Sequence, residues 1–195
     1  RAVDIRNAIA LAVQPGSGDL WAGVAGRDDL EHGHPYEIFD DVSAHAGTPD
    51  YGWLKCYDDR RPIAGASCAN VVVPRVVFPG YDTPIGAAFY PTDGRGKYAF
   101  PAEYRGGAFV TLHGSWHTPL VPPRVAFVPF RDGAPARGVD WSNPDAQWRE
   151  FLGGCQNADE RRNCRPTGVA VGSDGSLFVS DDYTGTILRI RPTGR

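Results

Sequence analysis

Three short segments of this chain carry side chains suited to holding an anion: Arg6-Asn7, Tyr81-Asp82-Thr83 and Arg165. Each stands just before an apolar run of similar design. A guanidinium presents a planar fork of N–H groups that matches a carboxylate through two parallel hydrogen bonds. Two such forks at equivalent positions of a repeated unit would converge on a guest with several carboxylates. Taken alone, each arginine is as well explained as an ordinary surface residue. "VTLHGSWHT" adds His113 and His117 on either side of Trp116. In an extended strand, residues four apart face the same side, but no Cys or acidic partner stands at zinc-site spacing. "GVAGRDDLEHGH" gathers Asp28, Asp29, Glu31, His32 and His34. Oxygen-rich loops suit Ca²⁺, yet the spacing is not that of an EF-hand, and a solvated acidic loop explains it equally. Asp181-Asp182 reads as turn chemistry. No nucleophile elbow, phosphate-binding glycine loop or H-E-x-x-H pair occurs.

These candidates need elements to position them. "RPTGVAVGSDGSLFVSDDYTGTILRIRP" (165–192) alternates three apolar runs with two tight turns, the signature of an antiparallel meander. "AIALAVQPGSGDLWAG" (8–23) repeats its first half. A looser copy runs through "PIGAAFYPT" and "RGGAFVTLHGSW", with "DGRGKYAFPAEY" inserted where the tight turn would be. The copies recur about every 80 residues, at Leu11, Ala87 and Val169. One helical stretch is expected, around Asp145–Leu152, opened by Asn143-Pro144. The fold class read from this pattern is all-β, a β-propeller with about three blades in this chain. Three blades do not close a ring. Residues 1–195 therefore read as the C-terminal half of one propeller domain, completed by a missing N-terminal half or by a second chain.

The totals agree. The chain has 195 residues with 42% hydrophobic content, enough for a core. Its 24 Gly and 17 Pro favour turns over long helices. A net charge of −3 creates no field that would draw it to nucleic acid. No apolar run approaches a membrane span of about 20 residues. The absence of Met indicates a processed or excised chain. Four cysteines form two local pairs, Cys56 with Cys68 and Cys155 with Cys164, neither at metal-binding spacing. Two short-range disulfides in an oxidising compartment, periplasmic or secreted, are the favoured reading. Four cysteines still allow three connectivities, and four buried thiols are the alternative.

"IRNAIALAVQPGSGDLWAG", "YGWLKCY", "FPAEYRGGAFVTLHGSWH" and "RPTGVAVGSDGSLFVSDDYTGTILRI" resemble the C-terminal half of the soluble sugar dehydrogenases that use pyrroloquinoline quinone (PQQ), of the glucose/sorbosone dehydrogenase type. The similarity runs from Arg6 to Ile190. It implies a six-bladed propeller, the quinone over the central channel, a bound Ca²⁺, and oxidation of a sugar hydroxyl or aldehyde by hydride transfer. Electrons would then pass to an external acceptor, a cytochrome or a quinone. Residue by residue, the resemblance assigns quinone contacts to Arg6, Asn7, Tyr81, His113 and Arg165, and carbonyl ligation of Ca²⁺ to Gly26 and Arg27. It departs from the family pattern at Ala25, where a polar residue is usual, at Gly26, where sorbosone-type relatives often carry an acid, and at Thr167, where glucose-type members carry a second Arg. It places the general-base His in the missing half, so no catalytic base is assigned to this chain. A non-catalytic propeller binding a sugar or a protein is the alternative. A lactonase-like hydrolase would want more metal-binding side chains than Asn7 and Asp82.

Overall fold

The computed structural model describes residues 2–31, 34–116 and 119–193. Among these described residues, thirteen strands and two short 3-10 turns account for the regular structure. The first sheet orders β1 (Asn7–Val13), β2 (Leu20–Ala25), β3 (Glu37–Asp41) and β4 (Val76–Phe78) as a simple meander. The second contains β5 (Pro84–Phe89), β6 (Ala108–Leu112), β7 (Arg124–Val128) and, after a small hairpin of β8 (Phe130–Arg131) and β9 (Ala134–Pro135), β10 (Arg149–Leu152). The third is the meander of β11 (Pro166–Val171), β12 (Leu177–Asp181) and β13 (Thr186–Ile190). All pairings within the sheets are antiparallel. The chain is thus all-β, in three repeated sheets whose first strands begin near Asn7, Pro84 and Pro166.

Alternation decides which residue faces which neighbour. On β6, Ala108, Val110 and Leu112 join Trp21, Phe39, Phe78 and Phe89 between the first and second sheets. Phe109 points the other way and packs with Tyr90, Phe100, Phe127, Leu177 and Val179 between the second and third. The middle sheet is therefore apolar on both faces. The first strands approach closely because small residues stand at the crossings. A Cβ on Gly86 would lie 2.3 Å from the Thr167 carbonyl oxygen of β11, and one on Gly23 would lie 2.8 Å from Ala10 Cβ and 3.1 Å from Pro84. On the first strand, Ala10 and Ala12 face inward, while Ile9, Leu11 and Val13 stay exposed.

The helix expected over 145–152 does not form. Pro144–Gln147 make a 3-10 turn and Arg149–Leu152 become β10, paired with β7. The Gln147 amide explains the break. Buried to 2% exposure, it donates to the carbonyls of Arg75 and Arg137 and accepts from Val77 N–H, at 2.7, 3.1 and 3.0 Å. Those bonds stitch the second sheet's last connection to β4 and outweigh a weak helical preference. Both disulfides pair neighbouring cysteines, Cys56–Cys68 and Cys155–Cys164. Among the described residues no helix is long and apolar enough to cross a membrane.

Candidate functional site

In an antiparallel pair, the start of the first strand lies beside the end of the second. Asn7 is opposite Ala25, Pro84 opposite Leu112, and Pro166 opposite Asp181. Arg6, Gly26-Arg27, Tyr81-Asp82-Thr83, His113, Arg165 and Asp182 therefore share one end of their respective sheets. Contacts between sheets show that these ends coincide. The Glu37 carboxylate accepts from Gly26 N–H at 2.6 Å and from Tyr81 N–H at 2.8 Å, joining the first sheet to the second. His113 Nε2 lies 3.1 Å from Asp182 Oδ2, joining the second to the third.

Around the first sheet, Arg6 donates to Asp28 at 3.0 Å and reaches the Ala25 carbonyl at 3.4 Å. Arg27 forks onto Asp29 at 2.8 and 2.6 Å. Asn7 opens β1 and is exposed. Tyr81 is buried, and its phenol is pushed up first by burial and then by the charges of Asp28, Glu37 and Asp29. Tyr81 and Thr83 both hold positive φ, +71° and +53°, a conformation costing about 1–3 kcal/mol each. The segment after β6 braces that turn: His113 N–H donates to Thr83 O and Gly114 N–H to Asp82 O, both at 3.0 Å. Asp82 itself is fully buried; burial lifts its carboxyl to about 7, against the opposing charge and hydrogen bond of Arg124 3.2 Å away. Glu37, also buried, is lifted by burial to about 8, although both N–H bonds favour its charge.

The third sheet supplies the densest group. Arg165 forks onto Asp182 at 2.6 and 3.0 Å. Asp181, next door, builds the turn read from the sequence, accepting from the N–H groups of Tyr183 and Thr184, and also takes the Arg165 backbone N–H. Arg162, from the loop closed by Cys155–Cys164, donates to the Ser115 carbonyl, and burial followed by the neighbouring Arg165 charge pushes it down. Partial burial works against the Asp182 charge, but its bonds from Arg165 and His113 outweigh that and hold the carboxyl below its ordinary range. His113 is pushed below 6.5 by burial, with the pull of Asp182 partly offset by Arg165 and Arg162.

The structure thus brings Arg6, Gly26, Arg27 and Tyr81 into one group and His113 and Arg165 into an adjoining one. Sequence reasoning took Asp28 as part of an acidic loop and Asp182 as turn chemistry, and it missed Glu37 and Arg162. One signal was present: Arg6 and Arg165 each directly precede a first strand, and Asp28 and Asp182 each follow a second strand within three residues. The acidic loop is ion-paired, with Glu31 held by Arg61 at 2.9 Å. His34 packs edge-on against Tyr36. His32 and His117 lie outside the described residues. Among the described residues no cluster of three or more His, Cys, Asp or Glu side chains is arranged to hold a metal, so a metal here would rely on carbonyl oxygens such as those of Gly26 and Arg27. Asp182 already sits in the Arg165 fork as a carboxylate would, so the guanidinium is presented in the geometry a carboxylate requires.

A family model described as TrAA12-like matches residues 44–193. A protein of Borreliella burgdorferi described as uncharacterized is 25% identical over 194 residues, covering 97% of this chain and 48% of that protein. The chain thus spans about half the length of this relative. Among solved structures, the family AA12 carbohydrate-active enzyme of Trichoderma reesei, in an iodide and a calcium structure, superimposes with TM-scores of 0.74 and 0.72 at 22% and 21% identity. Those matches cover 94% of this chain and 52% and 51% of the enzyme. The soluble aldose sugar dehydrogenase of Escherichia coli gives 0.61 at 18% identity, over 97% of this chain and 46% of that one. At such identities these likenesses establish the fold, that of the sugar dehydrogenases.

Proposed function

This chain belongs to the TrAA12-like family, and on that premise we propose that it forms half of a six-bladed β-propeller oxidoreductase that oxidises a sugar with pyrroloquinoline quinone. The observation that carries the reading is the Arg165–Asp182–His113 group, a carboxylate-shaped fork beside a neutral imidazole at the shared end of the sheets. Arg6 and Arg165 would take carboxylates of the cofactor, each exchanging its own aspartate for a ligand oxygen. Asn7, Tyr81 and His113 would complete the contacts. The carbonyls of Gly26 and Arg27 would hold Ca²⁺ as a Lewis acid, in keeping with the calcium structure of the Trichoderma reesei enzyme. When bound, the quinone would accept hydride from the sugar carbon, and the electrons would leave to a cytochrome or a second quinone.

Within this chain the work is electrostatic and positional. The guanidinium groups fix orientation, Glu37 ties the Gly26 segment to Tyr81, and the braced turn at 81–83 holds His113 in place. The exposed apolar side chains of β1 support the presence of further sheets: Ile9, Leu11 and Val13 are 42%, 58% and 64% exposed on one face, a row that a neighbouring blade would cover. The two disulfides support a periplasmic or secreted location. A binding module without catalysis is the second reading, favoured by the pairing of both Arg6 and Arg165 with the chain's own aspartates. The full-length protein, supplied with Ca²⁺ and cofactor, should reduce a redox dye with at least one aldose. Silence across a sugar panel at saturating cofactor would leave the binding module standing.

A further inference from the structure

Beside β4, the outermost strand of the first sheet, lies a groove of about 410 Å³ that contains none of the residues at the shared end of the sheets. Its volume is that of a small-molecule site. One wall is the segment leading into β4, with Val73, Pro74 and Arg75; the other is the chain from β9 onward, with Pro135, Arg137 and Trp141. The buried amide of Gln147 clamps the walls together, donating to the Arg75 carbonyl at 2.7 Å and to the Arg137 carbonyl at 3.1 Å. Two arginines are thereby mounted on backbone points that share one amide nitrogen.

Among the described residues neither guanidinium is in an ion pair. That of Arg137 donates to the Ala146 carbonyl at 3.2 Å, and that of Arg75 lies 5.9 Å from the Trp21 ring. The acids nearby are engaged elsewhere. Asp40 is fully buried and takes only the backbone N–H of Arg75, at 2.9 Å, with the Tyr51 hydroxyl and His45 on its other oxygen. Asp140 accepts from the N–H and the hydroxyl of Ser142, at 2.9 and 2.6 Å. Two cations on one groove without an anion of the chain's own favour an anionic guest, and their planar forks favour a carboxylate. The rest of the lining is flat and apolar. Trp141 is 37% exposed and is backed by the Tyr36 ring, 5.7 Å away and tilted by 32°. The C–H face of a pyranose lies against such a surface through dispersion.

We propose that this groove binds a sugar acid, a pyranose bearing a carboxylate, with Arg75 and Arg137 on the carboxylate and Trp141 under the ring. The site stands apart from the oxidoreductase reading, since a dehydrogenase and a binding module accommodate it equally.

The test is calorimetry on the full-length protein at low salt, without cofactor, so that dye-reduction results bear only on the other reading. The probes are galacturonate, trigalacturonate and the fully methyl-esterified trimer. The acid trimer should bind, and the ester, which keeps the rings and loses the charge, should bind about 10-fold more weakly or worse. Arg75→Gln and Arg137→Gln leave both carbonyls on Gln147, so each should keep the wild-type melting temperature and lose about 10-fold in affinity for the acid trimer. Trp141→Ala should weaken the acid and the ester by the same factor. A monomer that matches the trimer assigns the site to a free sugar acid; a tighter trimer assigns it to an acidic polysaccharide. Equal affinity for acid and ester, binding unchanged in both arginine variants, or no binding by the folded wild type overturns the proposal. Sulfate binding as tightly as trigalacturonate at equal ionic strength overturns it as well, because the sugar would then contribute nothing.

Discussion

Replacing Asp58 by asparagine isolates a single buried carboxyl whose cost is set by pH. Asp58 lines a cavity of about 40 Å³ together with Arg6, Gly26, Tyr36, Tyr51 and Trp53. Its Oδ2 is buried without a hydrogen-bond partner. Burial raises its pKa from 3.8 to about 7, against the opposing backbone hydrogen bonds of Asp58 and Tyr36. The folded form therefore keeps a proton that the unfolded chain gives up between about pH 4 and 7. Folding stability from this group is present in full below pH 4 and is lost as pH rises through 7. Each pH unit of that interval is worth about 1.4 kcal/mol, so the whole loss is about 4 kcal/mol. Asp58→Asn keeps the shape, stays neutral throughout and removes the penalty. Urea unfolding at pH 4.5 and pH 8 should show the variant close to wild type at the lower pH and more stable by up to about 4 kcal/mol at the higher. Glu37 and Asp82 tilt both curves alike, so the difference between them belongs to Asp58. Parallel curves for the two proteins would mean that this carboxyl is hydrated or ionised in the fold, and the argument would fail.

Arg165→Ala should weaken PQQ binding by about 1.5–3 kcal/mol, the worth of a hydrogen bond to a charged group; calorimetry giving an unchanged affinity would place the cofactor elsewhere. Gly86→Ala should destabilise by about 1–3 kcal/mol in thermal melts, because its Cβ would lie 2.3 Å from the Thr167 carbonyl oxygen and push β5 from β11. Breaking the Cys56–Cys68 bond, which closes a separation of 12 residues, should cost about 3 kcal/mol, read as a lower midpoint for the Cys56→Ala/Cys68→Ala variant in urea. Gln147→Ala should cost about 2–4 kcal/mol in the same assay, since it leaves Val77 N–H and two carbonyls buried without their partner.

The first two strands of each repeat, and the third of the last, were legible because they alternate and are joined by turns rich in Gly, Ser and Asp. The strands farther from the repeat's start were not. β3, "EIFDD", carries three acids and reads as polar, yet all five residues are buried, with Asp40 taking the Tyr51 hydroxyl at 2.6 Å and the Arg75 N–H at 2.9 Å. β4 is three residues long, below the length at which a period can be read. The segment 145–152 misled because the partners of Gln147 and β10 lie far away in sequence. Candidate cations were legible from their place before the first strands. Their aspartate partners were not, because pairing depends on how two strand ends meet, and Asp182 looked like half of a turn that Asp181 makes alone.

That pairing makes the site asymmetric, and the asymmetry gives it direction. In the first and third sheets an arginine precedes the first strand and an aspartate after the second strand neutralises it. In the second sheet the residue before the first strand is Thr83, preceded by a buried acid, Asp82, and the residue after the second strand is an imidazole, His113. Asp82 turns inward to Arg124, so this sheet contributes no cation through that position. His113 finds no acid on its own sheet's rim and borrows Asp182 from the next. The only imidazole–carboxylate contact among the described site residues therefore straddles the boundary between the second and third sheets, beside the fork of Arg165. Moving the acid, rather than the histidine, should disturb both functions at once, because one carboxylate sets the fork and the ring together.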